Sequence, residues 1–512
     1  MNHTLSARST SVPLPIIVVG AGLGGLSAAI HLACQGRQVL VFEKNDLIGG
    51  KLNLVQAAGY TFDTGPSLFT MPWVVRDLFA AAGRDVHDYL DLIQIEPTCR
   101  YWWPDGTAFQ AWQTMPQLVQ EIARLSPLDV EGFFRFLAHA ARIYRIVAPA
   151  FLLQPFDGLR DLLTPDILRH GWQIDSLRSV DTAVRHFFRS PYLQQVFNRY
   201  ATYNGSSPYL SPATFNVISY IEFAEGGWYL RGGMYQLARA LGRLAQELGI
   251  DIHTGVEVVE VLHRNEQVYG VRLSDGQSIA AATVVINADP RYTYQHLLHG
   301  QSRIAARLQR LEPSCSGFIL LLGIDRIYEQ LAHHTIFFSK NYPCEFAAIF
   351  QKRVPAADPT VYVCATSLSD PHLAPPGHMN LFVLVNAPAL TDRVRWVRES
   401  PAYRDTIIHK LERMGLSNLR QHIVYEQMIT PEDLQQRYYA AGGAIYGLAS
   451  NTRLAAFMRP PLRAHGLRCL YFVGGGTHPG GGIPLVLLSG KAVARRIMID
   501  EPTPDNSYSI VK

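Results

Sequence analysis

The stretch Ile16–Glu43, IIVVGAGLGGLSAAIHLACQGRQVLVFE, decides the fold. Four β-branched residues precede glycines at 20, 22 and 25, an alanine-rich run of helical spacing follows, and QVLVFE closes as a second apolar strand. This order is a βαβ unit with GxGxxG at the strand-to-helix junction, where a dinucleotide pyrophosphate docks. Gly20 permits the tight turn, Gly22 lets backbone approach a phosphate, and Gly25 lets helix pack on strand. The helix N-terminus adds amide donors and the positive end of its dipole. Glu43 ends the second strand, where an acid accepts bonds from ribose hydroxyls and disfavours a 2′-phosphate. An ordinary glycine-rich turn beside a surface glutamate would not require this order of elements.

The unit continues through Gly49-Gly50-Lys51 and Asp63-Thr64-Gly65-Pro66-Ser67. A second glycine pair lets backbone lie against a bulky ring system, as an extended FAD requires and a nicotinamide fold does not. Near the C-terminus, CLYFVGGGTHPGGGIPLVLLSGKAVARRI again reads strand, glycine loop, helix. Between these ends the pattern predicts a helix over Trp73–Ala82, a hairpin over Tyr101–Trp112 closed at Asp105-Gly106, and a helical, aromatic block from Asp129 to Tyr203. After Gly232 it predicts a helix and returning strands through TVVINAD, then alternating strands from Gly317 to Asn451 with a helix near Ala402–Met414. Two domains built from separated segments result: a dinucleotide domain over 15–85, 230–295 and 465–500, and a substrate and membrane-contact domain over 86–229 and 296–464.

Composition narrows the function. A chain of 512 residues exceeds the roughly 250 to 300 at which a single core stops growing. With 48% hydrophobic and 17% charged residues, intrinsic disorder is excluded. A net charge of +4 is too small for a nucleic-acid partner. The six cysteines are scattered without a CxxC pair, so they read as buried thiols of a reducing compartment. The N-terminus lacks an apolar h-region, and no apolar run reaches the roughly 20 residues that span a bilayer. The expected location is cytoplasmic with peripheral membrane attachment, Ala148–Leu153 offering an apolar rim. No HExxH pair, nucleophile motif or DxD cluster appears, so no metal site is expected and the cofactor carries the chemistry. The sequence specifies no oligomeric state.

The run GAGLGGLSAAIHLACQGRQVLVFEKNDLIGGK with FDTGPS resembles the flavin amine oxidase and phytoene desaturase superfamily. GTHPGGGIPLVLLSGK resembles the carotenoid desaturase signature, and NRYATYNGSSPY over Asn198–Tyr209 is similar to the 1-hydroxycarotenoid 3,4-desaturase branch. The resemblance covers residues 15 to 500. It implies an α/β fold, with a Rossmann-type FAD domain and an interleaved α+β substrate domain. It also implies that Gly20, Gly22, Gly25, Glu43, Lys44, Gly50 and Lys51 hold the ADP half and pyrophosphate. Val256 would meet adenine through its backbone, Asp63, Gly65, Pro66 and Ser67 would lie near the isoalloxazine, and Gly475, Gly482, Ile483 and Pro484 would cradle the flavin end.

The activity so implied is FAD-dependent desaturation of an acyclic carotenoid, with the 3,4 bond of a 1-hydroxycarotenoid as the main reading. LERMGLSNLRQHIVYEQMITPEDL and GAIYG also look like diaponeurosporene or diapolycopene oxygenases, which oxidise a terminal methyl group. A phytoene-type multistep desaturase is a third branch; a flavin amine oxidase and a non-catalytic lipid-escort protein are rivals. Candidate catalytic groups are His478, Glu225 and Arg231, with Glu222 beside them. His478 alternatively orders its loop by hydrogen bonding, and the acids and Arg231 alternatively face solvent or pair with one another. Of the aromatics, Trp102, Trp103, Tyr200, Tyr203, Tyr209, Phe223, Trp228 and Tyr229 read mostly as core, with some free to line a polyene tunnel.

Overall fold

Ile16–Val19 is the central strand of a five-stranded parallel sheet. Thr283–Ile286 and then Leu470–Phe472 lie on one side, and Val39–Glu43 and then Asp251–Thr254 on the other. Ile16 stands opposite both Thr283 and Val39, and all four residues of the strand are buried, as a parallel strand covered on both faces requires. The protein is described from a computed structural model covering residues 14–155, 158, 169–452 and 459–501.

Helix Leu23–Ala33 leaves the glycine turn and lies close on the strand, because a Cβ at Gly25 would meet the Gly20 carbonyl at 2.2 Å. The C-terminal helix Ile483–Asp500 crosses it at Gly490, where a Cβ would stand 2.5 Å from Ser27 Oγ and 2.6 Å from Ala28 N. Ser27 Oγ donates to the Leu487 carbonyl at 2.7 Å across the same contact. Helix Gln236–Glu247 completes this face of the sheet. The antiparallel meander Val258–Arg264, Gln267–Leu273, Ser278–Ala280 covers the other through Val261, Val271 and Ile17.

The second sheet has seven strands in the order Ile423–Ile429, Ser316–Ile324, Met379–Ala387, Val361–Cys364, His334–Phe337, Cys99–Trp102, Ala108–Ala111. All neighbours are antiparallel except His334–Phe337 and Cys99–Trp102. Ser316–Ile324 is buried along its length. Phe318, Leu320 and Leu322 pack under helix Trp396–Arg413, while Ile319 and Leu321 meet Tyr60 and Phe62. Helices Met115–Leu125, Asp129–Val147, Val180–Phe187, Pro191–Arg199 and Val217–Glu225 cap the far end of this sheet around Phe133, Phe136, Phe188 and Phe197.

The expected hairpin forms as Cys99–Trp102 against Ala108–Ala111. The helix expected from Ala402 begins at Trp396 and contains Pro401. Trp396 is fully buried against Phe318, and this packing anchors a first turn that proline alone would discourage. The helical block breaks after Val147 into a π-helical turn, Ala148–Leu152; residues 156–157 and 159–168 of that block lie outside the described residues. No described helix is long and apolar enough to cross a membrane.

The helix crossing at Gly490 yields a stability prediction. Gly490→Ala forces the two helices apart and should destabilise the protein by about 1 to 3 kcal/mol, the usual cost of overpacking. Chemical denaturation of the FAD-saturated protein checks it, and parental stability would contradict the close crossing.

Candidate active site

A single long cleft runs between the two sheets, lined at one end by the glycine loops and at the other by apolar and aromatic side chains of the second sheet and its helical cap. Gly20, Gly22, Glu43, Lys44, Gly50, Lys51, Gly65, Pro66, Ser67, Val256, Gly475, Gly482, Ile483 and Pro484 all line it. Fourteen of the sixteen residues expected to bind the cofactor are thereby brought to one cavity. Gly25 is not among them. It works from behind, through the helix–strand contact that aims the helix at the cleft.

Helix Leu23–Ala33 begins at Gly22 and the C-terminal helix at Gly482, neither with a side-chain cap, so the first-turn amides of both, apart from Pro484, which has none, are available to an acceptor in the cleft. Gly482 has φ +109°, which a side chain would strain. Glu43 is buried. Its Oε2 accepts the Ala21 amide at 2.8 Å, and its Oε1 accepts the amide and side chain of Asn45 at 3.0 and 2.8 Å. A carboxylate has about four acceptor sites, so capacity remains for a ribose hydroxyl. These features fit an extended dinucleotide, with Glu43 and the glycine loops as the residues that would hold it.

Asn287, which sequence reasoning missed, joins the loops. It follows strand Thr283–Ile286, and its side chain fills the space that Cβ atoms at Gly22, Gly24 and Gly474 would take, at 2.5, 2.8 and 2.6 Å. The asparagine of TVVINAD was the available signal. Arg459 was missed as well. It is buried and donates to the carbonyls of Gly475 at 3.2 Å and Leu448 at 3.1 Å and to Asn204 Oδ1 at 3.0 Å, while burial pushes its pKa down to about 10.

Several expected roles are corrected. Asp63 does not reach the cleft. Its carboxylate is buried and accepts from the amides of Met234 at 2.9 Å and Tyr235 at 3.2 Å and from Tyr229 Oη at 3.0 Å, which clamps the turn into helix Gln236–Glu247. Burial raises its pKa, opposed by these three donors. Lys51 borders the cleft, but its Nζ donates to the Ala444 and Ile445 carbonyls at 3.0 and 2.6 Å rather than offering itself to a phosphate. Burial lowers its pKa to about 8. Lys44 lies 3.7 Å over the Tyr439 ring. Val256 sits between strands, and its amide is taken by the Glu43 carbonyl at 2.9 Å, leaving only its carbonyl for adenine.

The candidate catalytic groups are likewise displaced. His478 is buried behind the glycine loop, its Nε2 2.6 Å from the Phe151 carbonyl and its ring edge-on to Phe151 at 4.3 Å. Burial lowers its pKa to about 3, so it orders the loop rather than titrating. The same contact turns Phe151 inward, away from the expected apolar rim. Arg231 forms an exposed ion pair with Asp91 at 2.7 Å, away from the cleft. Glu225 lies outside the cleft near Trp73 and Arg76, and burial raises its pKa.

Glu222 was expected at a turn facing solvent or paired. It stands instead on helix Val217–Glu225, buried and lining the cleft, because its carboxylate accepts from Tyr200 and Tyr203. Arg199 faces the same space with Tyr101 Oη at 3.1 Å. Of the eight aromatics singled out in the sequence, only Tyr203 lines the cleft. Ile218, Ile221, Ile319, Ile336, Tyr342, Phe382 and Leu384 are also part of the wall. Ser67, Tyr362 and His334 form a hydrogen-bonded chain on one side of it, at 2.5 and 2.8 Å.

A two-helix glycine cradle beside an apolar wall fits an FAD-dependent oxidoreductase. The flavin-containing amine oxidoreductase family model matches residues 23–498, and the chain belongs to that family. It is 40% identical to a 4,4′-diapolycopene oxygenase of Methylomonas sp. over 95% of this chain and 98% of that one. It is 36% identical to a 4,4′-diaponeurosporene oxygenase of Staphylococcus aureus strain MSSA476 over 94% and 97%. Among solved structures, an oxidoreductase from Methanosarcina mazei superposes with a TM-score of 0.60 at 18% identity over 94% of this chain and 100% of that one. Putrescine oxidase bound to putrescine gives 0.62 at 13% over 95% and 99%. These two likenesses establish the fold.

Two predictions follow from the site. Glu43→Ala removes a buried charged acceptor worth about 1.5 to 3 kcal/mol, so FAD affinity should fall about ten- to hundredfold by fluorescence titration. Unchanged affinity would contradict the ribose assignment. The second concerns pH. Burial lowers the pKa of His31 to about 4 and of His333 and His478 to about 3, and it holds that of His334 well below the usual imidazole range. Unfolding frees these rings to bind protons near pH 6.5, so the unfolded state holds more protons below that value. Stability should be fully present above about pH 6.5 and fall as pH drops through 6 and 5, and thermal unfolding at saturating FAD measures the slope.

Proposed function

We propose that this flavoprotein oxidises the end of an acyclic carotenoid, converting a terminal methyl group to an aldehyde. The observation that carries the reading is near-full-length similarity, at 40% and 36% identity, to two oxygenases of 4,4′-diapo-carotenoids. The 3,4-desaturation of a 1-hydroxycarotenoid, the main expectation from the motifs, yields to its alternative. The overall change, R–CH3 + O2 → R–CHO + H2O, balances without a further reductant. Bound FAD supplies the two-electron redox chemistry.

The chain's own residues supply containment and polarity. Ile319, Ile336, Phe382 and Leu384 give a polyene an apolar wall and keep water from it. Arg199, Tyr203 and Glu222 form the polar patch in that wall, able to meet an oxygen atom but not needed by a hydrocarbon.

The substrate is insoluble in water, so delivery from a membrane surface is part of the proposal, with the enzyme attached on the cytoplasmic side. Leu128, Phe134, Leu153, Trp172 and Leu177 of the helical cap are exposed, Trp172 at 81%. Such apolar side chains suit insertion at the headgroup boundary. Flotation with liposomes should carry the parent upward. Trp172→Glu with Leu177→Glu should lower the bound fraction by about tenfold or more, given about 1.5 to 3 kcal/mol for each buried large apolar side chain. Equal flotation would move the contact elsewhere.

The reaction type is tested with 18O-labelled dioxygen, offering a diapo-carotene and a 1-hydroxycarotenoid side by side. Label in a terminal aldehyde supports the proposal. Loss of two hydrogens from the hydroxycarotenoid, with no label in any product, would restore desaturation.

A further inference from the structure

We propose that Ser67, Tyr362, His334, His333 and Ser369 form a proton path from the reacting end of the cleft to the surface. The inference rests on the carotenoid-oxidation reading, because it supplies an exit for protons that such chemistry releases into an apolar cavity.

The cleft end of the path is Ser67, whose Oγ lies 2.5 Å from Tyr362 Oη, and Tyr362 Oη lies 2.8 Å from His334 Nδ1. The outer end is His333, whose Nδ1 lies 2.7 Å from Oγ of half-buried Ser369. The two imidazoles meet edge to face with centroids 4.4 Å apart, and Nε2 of each is buried with no hydrogen-bond partner among the described residues. A buried imidazole nitrogen left unpaired on both of two touching rings calls for an explanation, because such groups are rarely orphaned. Strand register produces the arrangement. His334 lies opposite Cys364, two residues from Tyr362 on the same face of its strand, while His333 just precedes the strand.

The bonding fits a one-way chain. If Tyr362 donates to His334 Nδ1, His334 carries its proton on Nε2. If His333 donates from Nδ1 to Ser369, its Nε2 is an acceptor. The two orphaned nitrogens are then complementary, one donor and one acceptor, but no hydrogen bond joins them, so the transfer between the touching rings requires a ring rotation that brings them together. Oxidation of a terminal alcohol to the aldehyde removes the C–H hydrogen with its electron pair, for which bound FAD would be the two-electron oxidant, and the O–H proton goes to Ser67 Oγ. Ser67 passes its own proton to Tyr362, Tyr362 to His334 Nδ1, His334 Nε2 to His333 Nε2, and His333 Nδ1 to Ser369 and water. One proton enters and one leaves. Burial keeps both rings neutral between transfers. The groups facing the pair are Tyr229 against His333 at 4.6 Å, Asp63 behind Tyr229, Cys364 opposite His334, and Arg199, which further disfavours a charged His334.

The competing explanation is a thiophilic metal ion, since a ring nitrogen of each histidine and Cys364 Sγ all lie within 4.8 Å of one another. The test uses FAD-loaded enzyme labelled with 15N-histidine, assigning the two rings from His333→Gln and Tyr362→Phe spectra, with metal content measured alongside. Expected are an Nε2–H tautomer at His334, an Nδ1–H tautomer at His333, and no bound metal. Both variants should keep parental FAD content and KM while turnover of a carotenoid alcohol in liposomes falls about 100-fold, the low end for a positioned proton acceptor. Reversed tautomers, about one metal ion per chain that is lost in Cys364→Ala, or parental turnover in both variants would each overturn the path. If the parent oxidises no carotenoid, the functional reading fails separately, and the tautomers and metal content still decide whether the path exists.

Discussion

Asn287 between two glycine loops is the contact on which the rest of the molecule depends. Its side chain occupies the volume that Cβ atoms at Gly22, Gly24 and Gly474 would claim, so the loop after the first strand and the loop before the last helix meet only because neither carries side chains there. The sheet order makes this meeting necessary. Thr283–Ile286 lies between Ile16–Val19 and Leu470–Phe472, and residue 287 emerges at the shared carboxyl edge of all three strands. Brought together, the uncapped starts of two helices face one cleft from two sides. Open parallel sheets place their ligands at this edge.

What was legible in the sequence was whatever local geometry alone determines. A tight turn, a close helix–strand approach and a helix start each demand particular residues within a few positions, and IIVVGAGLGG and GGGTHPGGGIPL met those demands. The polar residues whose destinations were misread depend on partners far along the chain. Lys51 follows a glycine pair and reads as a phosphate ligand, yet the Ala444 and Ile445 carbonyls claim its ammonium. Asp63 is held by Met234 and Tyr235, and His478 by Phe151. No spacing rule near Asp63 or His478 announces these partners. His333-His334 was invisible for the related reason that a histidine dipeptide acquires meaning only from the strand placed opposite it.

The substrate half of the cleft shows how a buried charge is tolerated beside an apolar wall. Arg199 and Glu222 are linked by the Tyr203 hydroxyl, which accepts from Arg199 at 3.5 Å and donates to Glu222, while Tyr200 donates to the other carboxylate oxygen. Opposite charges with bridging donors offset much of the desolvation that either would suffer alone. The arrangement leaves the carboxylate satisfied and guanidinium donors facing the cavity. An oxygen-bearing group at a polyene end meets a donor there, whereas a methyl group gains nothing from it. The wall is therefore apolar along much of its length and polar at the Arg199–Glu222 patch and again at the Ser67–Tyr362–His334 chain.

That division also explains why the motif resemblance and the relatives point to different reactions. The segment Asn198–Tyr209, which inclined the sequence reading toward a 3,4-desaturase, is mostly a structural clasp. Asn198 is buried and bonds Asp181 at 2.7 Å, and Gly205 accepts the Cys315 amide at 2.9 Å. Ser206 accepts the Ser450 amide at 2.8 Å, and the Ser207 amide donates to Asn451 at 2.9 Å. Only Arg199, Thr202 and Tyr203 of this segment line the cleft. The residues of this motif chiefly join the helical cap to the 448–451 loop, a structural role that does not itself select a reaction. The apolar wall of the cleft is contributed instead by Ile319, Ile336, Phe382 and Leu384, from strands about 110 to 190 residues downstream of the motif. Similarity spread over nearly the whole chain samples that wall, and a twelve-residue motif does not.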